Sequence, residues 1–541
     1  MGGAEIRQRL ASHRLGGCKA SRLLSWTNLS KRSTFQAIPL AVINVRSLAA
    51  RFFKHGLVGA ILIGRLLSAT AAPGTVYLVV GSDTAIWDGL DVGRHYCHYR
   101  FDLYTAPQGN AYKVLDPGFR HQFVDSFGQP MKLTWWMMTG NVFRYADNTD
   151  VPFPNIMTLY LIKKYHRAAI EECGDQLAWH YHTFIWSDYN GDGLYYWNEA
   201  HTFQECREDF DYTLAQMLLE EGLFPASFRS GWHYMDNEWQ QYLNNLIPFS
   251  LHNYFPNIRA SALEPIYNVY DWSQAPSAFV PFQPSLTNYQ IPGVGAGWNV
   301  RSVKMQAMTQ ALMDQMFQQA AQGMDQVACL WAHLPESDFP SNLALMDFMA
   351  HQAATNYPDV QFRYCTAVEA MQRWMGTEDH TAPRLDVSQA ALGQTVTLTL
   401  QVNEPIFQPQ PFIVVKDLAG QYQLPVCQPT GENTWTVTLP VDRSLLAKVG
   451  IAVTDLAGNV ATRFLFYSTP RIMLQLSATS PTGGPALSLD GEPGFQYIIE
   501  NSTNCVDWTP ILTNAAPLAF VDRNATIWPA QFYRAIGQPA Q

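Results

Sequence analysis

The sequence GDQLAWHYHTFIWSDYNGDGLYYWNE, residues 174–199, is the stretch from which the fold and a candidate site can be predicted together. Its apolar first half, residues 177–185, indicates a buried β-strand that carries His180 and His182. Side chains two residues apart on a strand point to the same face, so the two imidazoles can reach one metal ion. The stretch therefore predicts a strand that ends in a metal-binding pair.

Units of helix, capping glycine and strand repeat on both sides of this stretch. Apolar periodicity predicts helices at residues 156–173, 203–221, 303–322 and 342–356, and strands at residues 76–80, 131–138, 177–185, 224–228, 326–332 and 360–364. Strands that alternate with helices form parallel sheets, whose active sites lie at the carboxyl ends of the strands. Five polar residues fall at or near those ends: Asp83, His180, His182, Arg229 and His333.

The composition favours some classes of partner over others. The 541-residue chain is 47% hydrophobic and 13% aromatic but only 15% charged, with a net charge of -10. Because no basic run follows the N-terminal region, the composition argues against a nucleic-acid partner. The 16 Trp and 25 Tyr suit an extracellular protein that handles sugars, since aromatic rings stack on sugar CH groups, and they equally suit an aromatic core.

Residues 1–72 differ in composition from the rest of the chain. Arg, Lys and Ser are plentiful, residues 56–64 are mostly apolar, and small residues precede Pro73. This order is typical of a secretory signal cleaved after Ala71 or Ala72, so we expect a secreted, periplasmic or cell-surface protein. The segment is longer than an ordinary signal, which a mis-called start codon would explain; a transit peptide is the alternative. No later apolar run is long enough to predict a membrane span.

Eight cysteines are spread along the chain without any CxxC pair. Cys18 would leave with the leader, and an odd number would then remain. The pattern predicts neither a disulfide scaffold nor a zinc ribbon, and it leaves one or two bridges open.

The sequence pattern changes after about residue 380. Short alternating strands separated by turn residues predict an immunoglobulin-like β-sandwich at residues 381–469 and a second β-module at residues 470–541. Between Trp232 and Trp298 the chain is irregular and aromatic, which is typical of a functional loop region and predicts the wall of a substrate cleft. The expected organisation is a leader (1–72), an α/β domain (73–380) and these two β-domains.

The second half of the opening stretch also fits a calcium-binding pattern. Asp188, Asn190 and Asp192 alternate and Glu199 stands at the twelfth position, as in the loop D-x-N-x-D-G-x5-E. A bound Ca²⁺ would fix the loop beside the histidines. The alternative is ordinary turn chemistry, because Asn-Gly-Asp-Gly favours turns without any ion.

Residues 75–380 resemble the polysaccharide deacetylase (NodB homology) superfamily at five places. The matching segments are residues 79–83 (VVGSD), 174–182 (GDQLAWHYH), 228–231 (FRSG), 271–272 (DW) and 330–333 (LWAH). Two departures stand out. The aspartate pair of the family is reduced to Asp83-Thr84, and the histidines are spaced H-x-H where the family has H-x-x-x-H. The last motif also carries one extra residue.

The resemblance implies a distorted (β/α) barrel and metal-dependent removal of N- or O-linked acetyl groups from a polysaccharide or glycan. It implies Zn²⁺, or another divalent transition metal, held by His180, His182 and Asp83, with Asp83 as ligand or as base. It also implies that Arg229 orients the carboxylate and that His333 donates a proton to the leaving group. The residues expected to contact substrate are Trp232, Asp271 and Trp272, and those expected to replace the second aspartate are Asp88 or Asp91.

Other functions fit the same sequence. A glycoside hydrolase on a related barrel would need a carboxylate pair at the strand ends, for which the candidates are Glu336, Asp338 and Asp236. A barrel that lacks the second aspartate could instead bind a glycan without cleaving it. A hydrolase of peptides or small amides is also left open.

Overall fold

The structure is a computed structural model that describes most of the chain beyond the N-terminal region. The described residues are 72–85, 87–91, 96–140, 155–188, 191–193, 196–199, 202–259, 269–469, 471–477, 484–525 and 530–540. For residues 87–91, 96–99, 186–187, 196–199 and 477 only the backbone is described. The predicted leader, apart from residue 72, lies outside these ranges.

Seven parallel strands close into a barrel. The barrel strands are β1 (Thr75–Thr84), β2 (Thr134–Thr139), β3 (Gln176–Tyr181), β4 (Ser227–Ser230), β5 (Phe249–Asn253), β6 (Trp298–Lys304) and β7 (Gln326–His333). β7 pairs with β1 from Val76↔Gln326 to Asp83↔His333, and this pairing closes the ring. An eighth strand, β8 (Gln361–Cys365), pairs with the first half of β1, whereas β2 pairs with its second half. The predicted α/β barrel is thus confirmed as a closed parallel barrel.

Helices connect the barrel strands, and one short 3₁₀ segment, Arg443–Leu445, lies among the C-terminal sheets. The longer ones span Met157–Cys173, Arg207–Glu221, Asn237–Leu243, Gln310–Ala321, Phe339–Asn356 and Ala367–Met375, and the shorter α and 3₁₀ segments span Asp102–Thr105, Asn110–Val114, Pro117–Arg120, Phe203–Glu205, Gly231–His233, Met305–Ala307 and Arg443–Leu445. Gly174 and Gly222 end two of the helices with φ values of 66° and 64°, in the left-handed region that glycine tolerates best. The caps predicted at these two glycines are therefore confirmed, whereas the helix Gln310–Ala321 is capped at Gln322, one residue before the predicted Gly323.

Alternation along the strands divides the barrel side chains between two cores. Val76, Leu78 and Val80 of β1 pack in the core beneath the helices, whereas Tyr77 and Val79 belong to the core inside the barrel. Because side chains alternate between faces, the odd-numbered positions of β1 continue inward as far as its polar end. The same alternation in the other strands decides which polar residues face one another.

Two barrel strands depart from the predicted pattern. No strand is predicted at β5, and a helix is predicted from residue 303, where β6 still runs to Lys304; the helix begins at Gln310. All of β5 is buried, but its sequence, FSLHN, mixes polar and apolar residues. Pairing with β4 on one side and β6 on the other determines its conformation, which local sequence did not indicate.

The C-terminal third consists of antiparallel sheets. Two four-stranded sheets share one hydrophobic core; their strands are Leu385–Leu392, Thr395–Val402, Phe412–Asp417, Tyr422–Gln423, Gln428–Gly431, Thr434–Thr438, Leu446–Thr454 and Val460–Phe466. Two three-stranded sheets follow, with strands Ile472–Ser477, Ala486–Gly491, Phe495–Ser502, Thr509–Asn514, Leu518–Val521 and Phe532–Pro539. The barrel and these sheets belong to one compact unit, residues 69–541.

Three hairpins project from the barrel domain. Their strands are Trp87–Asp91 with Tyr96–Tyr99, Phe184–Ser187 with Tyr196–Glu199, and Ile258–Arg259 with Tyr270–Asp271. Six cysteines of the described part are free thiols, so none of these six forms a disulfide: Cys173, Cys206, Cys329, Cys365, Cys427 and Cys505. No helix among the described residues is long and apolar enough to cross a membrane.

A buried ion pair joins the helical region before β2 to the start of β3. Both oxygens of Asp175 accept from Arg120, and the carboxylate also accepts from the Leu133 backbone N–H at 2.7 Å and from Trp135 Nε1 at 2.8 Å. Neither charged side chain is more than 1% exposed. Asp175, which lies in a segment that resembles a deacetylase motif, therefore has a structural role.

Replacing Asp175 with alanine leaves the buried guanidinium of Arg120 without its counter-charge. We expect the free energy of unfolding to fall by about 3–5 kcal/mol, measured by urea denaturation with tryptophan fluorescence. The control is Asp359→Ala, at an exposed position, which should change stability by less than about 0.5 kcal/mol. Equal losses in the two variants would contradict the assigned role.

Candidate functional site

Four of the predicted polar residues converge at the carboxyl end of the barrel. Asp83 of β1 pairs in register with His333 of β7, and His180 of β3 pairs with Arg229 of β4. β3 ends at Tyr181, so His182 lies one residue beyond the strand that was predicted to contain it. Its imidazole nevertheless meets that of His180, which brings all five residues to one place.

The central contact of the site is a buried bidentate ion pair between Asp83 and Arg229. Arg229 Nε donates to Asp83 Oδ1 at 2.7 Å and Arg229 Nη2 donates to Oδ2 at 3.0 Å. The guanidinium lies between two indole rings, 5.3 Å from the centroid of Trp136 and 4.6 Å from that of Trp331. Burial by itself would raise the pKa of Asp83, but Arg229 and His180 hold that pKa far below its usual range. Asp83 is therefore a permanent anion.

His180 and His182 form a neutral imidazole pair. Their Nε2 atoms are 3.0 Å apart, and His180 Nδ1 lies 3.0 Å from the Arg229 carbonyl oxygen. Since a carbonyl only accepts, His180 Nδ1 carries the proton and its Nε2 keeps a lone pair. Burial lowers the pKa of His180 to about 4 and that of His182 well below its usual value. His182 Nδ1 is buried without a hydrogen-bond partner among the described residues.

The His182 ring is held by the turn after β4. It stacks on Phe184 with 5.1 Å between centroids and meets the edge of Trp232 at 4.8 Å. A Cβ at Gly231 would overlap the His182 ring, so only glycine fits at that position. Trp232 and His233 have φ values of 50° and 59°, which are strained for residues with a side chain. Backbone strain of this kind is often found at functional sites.

A second dyad lies on the solvent side of the same end. His333 Nδ1 is 2.9 Å from Glu336 Oε1, and Glu336 also accepts from Lys304 Nζ at 2.7 Å. His333 and Lys304 lower the pKa of Glu336 far below its usual range, although burial opposes them. The His333 side chain is 41% exposed. A carboxylate that fixes the Nδ1–H of an accessible histidine leaves Nε2 available to exchange protons.

The histidine pair fits a divalent metal ion, whereas Asp83 does not. Two Nε2 atoms 3.0 Å apart are compatible with metal–nitrogen bonds of about 2.0–2.1 Å, and both rings are neutral as ligation requires. The Arg229 carbonyl orients His180 in the way that outer partners orient metal ligands. Asp83 instead has both oxygens bonded to Arg229 and approaches His180 at its Nδ1, 3.9 Å away. The expected triad of two histidines and Asp83 is therefore not formed.

Among the described residues, one group of three ligand-type side chains could hold a metal, and it lies elsewhere. It consists of Asp379, Glu404 and Asp455, which the sequence did not single out. The side chains of Asp88 and Asp91, the candidates for a replacement carboxylate, lie outside the described residues.

The backbone register does not support the calcium loop. Asp188 lies at the turn of the hairpin formed by Phe184–Ser187 and Tyr196–Glu199, whereas Glu199 pairs with Phe184 at the far end. Four residues of strand separate the two positions, or about 13 Å. Asp188 Oδ2 accepts from the Gly193 N–H at 3.0 Å, which is turn chemistry, and Asp192 is exposed. Asn190 and the Glu199 side chain lie outside the described residues.

The expected substrate-contacting residues differ in their exposure. Trp232 is partly exposed next to His182, as a substrate-binding residue would be. Trp272 is fully buried, and its Nε1 donates to the His233 carbonyl at 2.9 Å, so it supports the strained turn. Asp271 accepts from the backbone N–H and hydroxyl of Ser273 and stabilises a local turn.

The three carboxylates proposed for a glycoside hydrolase accept hydrogen bonds from other groups of the protein. Asp236 caps a helix through the Trp239 N–H at 2.7 Å and also accepts from Phe203 N and from the Tyr234 hydroxyl. Glu336 is bonded to His333 and Lys304, and Asp338 lies beside the Gln306 amide at 3.4 Å. Glu336 and Asp338 both accept from Gln306 Nε2, at 2.7 and 3.4 Å, so these two carboxylates lie beside each other, whereas Asp236 is engaged at the start of a helix.

Neither Lys304 nor the bond between Glu336 and His333 was predicted from the sequence. Lys304 ends β6, where a helix is predicted, so its place at a strand end was not visible. Glu336 follows His333 by three residues, a spacing that could have indicated the dyad. The sequence around Gly231 does not indicate its role, because that role depends on the ring of His182, which follows another strand.

Comparisons with known proteins add little to this geometry. No protein-family profile and no curated protein sequence matches the chain. A solved structure from Mycobacterium smegmatis, described as a polysaccharide deacetylase, aligns at 14% identity over 58% of this chain and 98% of its own, with a TM-score of 0.31. A bacterial fucosidase aligns at 10% identity over 72% and 92%, with a TM-score of 0.22. Likenesses this weak identify neither fold nor function.

Replacing Gly231 with alanine forces a Cβ into the His182 ring. We expect the ring to be displaced and the free energy of unfolding to fall by about 1–3 kcal/mol, measured by urea denaturation. Gly431→Ala is the matched control, because a Cβ there meets only ordinary contacts at 3.6 Å. If both variants unfold like the wild type, the close approach assigned to Gly231 is wrong.

Buried histidines also predict a pH dependence of stability. Burial lowers the pKa of His166 to about 4 and that of His252 to about 3, from usual values of 6.5. From pH 6.5 down to about 4 the unfolded chain therefore binds protons that the folded chain does not. Each histidine should cost about 1.4 kcal/mol of stability per pH unit over that window. His252→Leu should lower this slope by about one such increment, and an unchanged slope would refute the assignment.

Proposed function

We propose that the chain is a metal-dependent hydrolase that removes acetyl groups from a polysaccharide or glycan. The observation that carries this proposal is the meeting of a neutral histidine pair with an accessible His333–Glu336 dyad at the carboxyl end of a closed parallel barrel. Active sites of parallel barrels lie at this end. The motif resemblance to the NodB superfamily supports the choice of reaction.

The two histidines are the proposed metal ligands. A divalent ion such as Zn²⁺, held by Nε2 of His180 and of His182, would supply Lewis-acid activation of water and of the acyl carbonyl. Both rings stay neutral well below neutral pH because burial lowers their pKa values. The remaining ligands are not assigned to any described residue.

His333 is the proposed proton carrier. Glu336 holds its Nδ1–H, so Nε2 can take a proton from the attacking water and then deliver it to the leaving amine or alcohol. Its exposed ring is positioned where a bulky glycan could reach it. General acid–base catalysis of this kind is worth about 10²–10⁴ in rate.

Asp83 and Arg229 position the site without exchanging protons. Asp83 is too weak a base for that role, because its pKa lies far below neutral. Its bond to Arg229 fixes the arginine backbone, whose carbonyl in turn fixes the His180 tautomer. This assignment replaces the expectation that Asp83 is a ligand or a base.

The choice of a glycan rests on the surroundings of the site. The strained Trp232 meets the edge of the His182 ring, and the half-buried Tyr254 and Tyr270 contact His233 of the same turn. Aromatic faces at the rim of a cleft suit sugar rings. A glycan-binding barrel without catalysis is the second candidate, and it is favoured by the engagement of Asp83 with Arg229.

Metal analysis of the purified protein separates these two candidates. We expect one divalent ion per chain in the wild type and its loss in His180→Ala and in His182→Ala, because each variant removes one of two Nε2 donors. The control is His121→Ala, at an exposed position remote in sequence from the site. If the wild-type protein contains no metal after growth and purification in the presence of Zn²⁺, the metal-dependent hydrolase proposal is wrong.

Acetate release from acetylated glycans tests the role of His333. His333→Ala should keep its metal but lose about 10²–10⁴ in rate, measured by an enzymatic acetate assay. Metal-loaded wild type that releases no acetate from N- or O-acetylated substrates would leave glycan binding as the function.

A further inference from the structure

A cleft lies where the barrel meets both β-domains. Its volume is about 960 Å³, which is within the range of ligand sites. Its walls come from barrel helices, from the strand Val460–Phe466 and from the C-terminal sheets, and none of the residues at the barrel strand ends lines it. We call it the junction cleft.

The junction cleft is cationic although the chain as a whole is acidic. Its lining carries four cationic side chains and one carboxylate: Lys163, Arg167, Arg443, Arg463 and Glu221. Lys163 Nζ bonds to Glu221 Oε2 at 2.9 Å, so these two charges neutralise each other. Among the described residues, no carboxylate forms an ion pair with any of the three arginines. Glu171 and Glu221 act on Arg167 electrostatically, so the positive charge without a nearby carboxylate lies on Arg443 and Arg463.

Arg167 has an unused donor in this cleft. Its Nη2 donates to the Ala516 carbonyl oxygen at 2.8 Å, but its buried Nε has no hydrogen-bond partner among the described residues. Because this Nε is closed to solvent, a ligand in the cleft would meet the outer nitrogens of the Arg167 guanidinium, which favours a carboxylate as partner. Arg443 and Arg463 are exposed at the cleft and can reach a ligand in solution.

Aromatic rings and small polar groups complete the lining. Phe464, Phe466 and Tyr467 face the cleft. A neighbouring recess of about 410 Å³ shares Arg463, Phe464 and Leu465 with it and is lined further by Asp386, Val387, Ser388, Thr399 and Gln401. The Asp386 carboxylate is paired with Arg384 at 3.0 Å. The two spaces adjoin the same strand, Val460–Phe466, and together offer ring faces, hydroxyls and amides beside the arginines. Adjoining spaces of this kind suit a polymer more than a small ion.

We propose that the junction cleft binds an acidic polysaccharide, with its carboxylates on Arg167, Arg443 and Arg463 and its sugar rings on Phe464 and Tyr467. Only the choice of a glycan over other polyanions rests on the proposed function; the cationic cleft does not. The cleft would hold the polymer while the barrel end acts on another part of it.

Affinity electrophoresis of the full chain tests this proposal. We expect migration to be retarded by polygalacturonate and not by neutral dextran, with the retardation weakened at high salt. The double variant Arg443→Gln/Arg463→Gln should bind polygalacturonate at least about tenfold more weakly. Arg207→Gln makes one charge change at a barrel residue that does not line the cleft, and it should bind as the wild type does.

The outcomes separate this site from the barrel site. His180→Ala should retain polygalacturonate binding, so binding without acetate release would leave the cleft in place and overturn only the proposed function. If polygalacturonate binding is lost in His180→Ala and kept in the double arginine variant, the polymer binds at the barrel end. That result would overturn the proposal for the junction cleft. Equal retardation by polyglutamate or by single-stranded DNA would also overturn it, because the site would then select charge and not sugar.

Discussion

The buried bidentate pair of Asp83 and Arg229 is the interaction on which the rest of the site depends. It joins β1 to β4 inside the barrel end, and neither side chain is more than 5% exposed. Removing either partner would leave an uncompensated buried charge, which typically costs about 3–5 kcal/mol. Since the Arg229 carbonyl also receives the Nδ1–H of His180, the pair fixes the tautomer of the first histidine.

Around the Asp83–Arg229 ion pair, the site has a buried part and a solvent-exposed part. His180 and His182 are buried and neutral, wedged against Phe184, Gly231 and Trp232. His333 stands open to solvent with Glu336 behind it. A buried pair of imidazole nitrogens can bind a metal ion without competition from water. An exposed imidazole is suited to proton exchange with solvent. This division is the physical basis of the function proposed for the chain.

The β-domains pack tightly on the barrel. Gly450 lies against Leu219 so closely that a Cβ would stand 2.7 Å from its side chain, and Lys448 donates to the Leu219 carbonyl. Lys416 and Tyr422 both bond to Glu220 at 2.7 Å. These contacts fix the helix Arg207–Glu221 against the sandwich, so the junction cleft has walls of fixed geometry.

The sequence by itself determined the alternation of strands and helices, the capping glycines and the polar residues at four strand ends, because these depend on local periodicity and on backbone conformations that glycine favours. It could not show β5 or the end of β6, whose polar residues are placed by pairing with neighbouring strands. Only the tertiary structure decided that Asp83 bonds to Arg229 and not to the histidine pair. Those partners are set by which side chains a closed barrel turns inward at one level, and that level depends on strand register, which no single segment encodes.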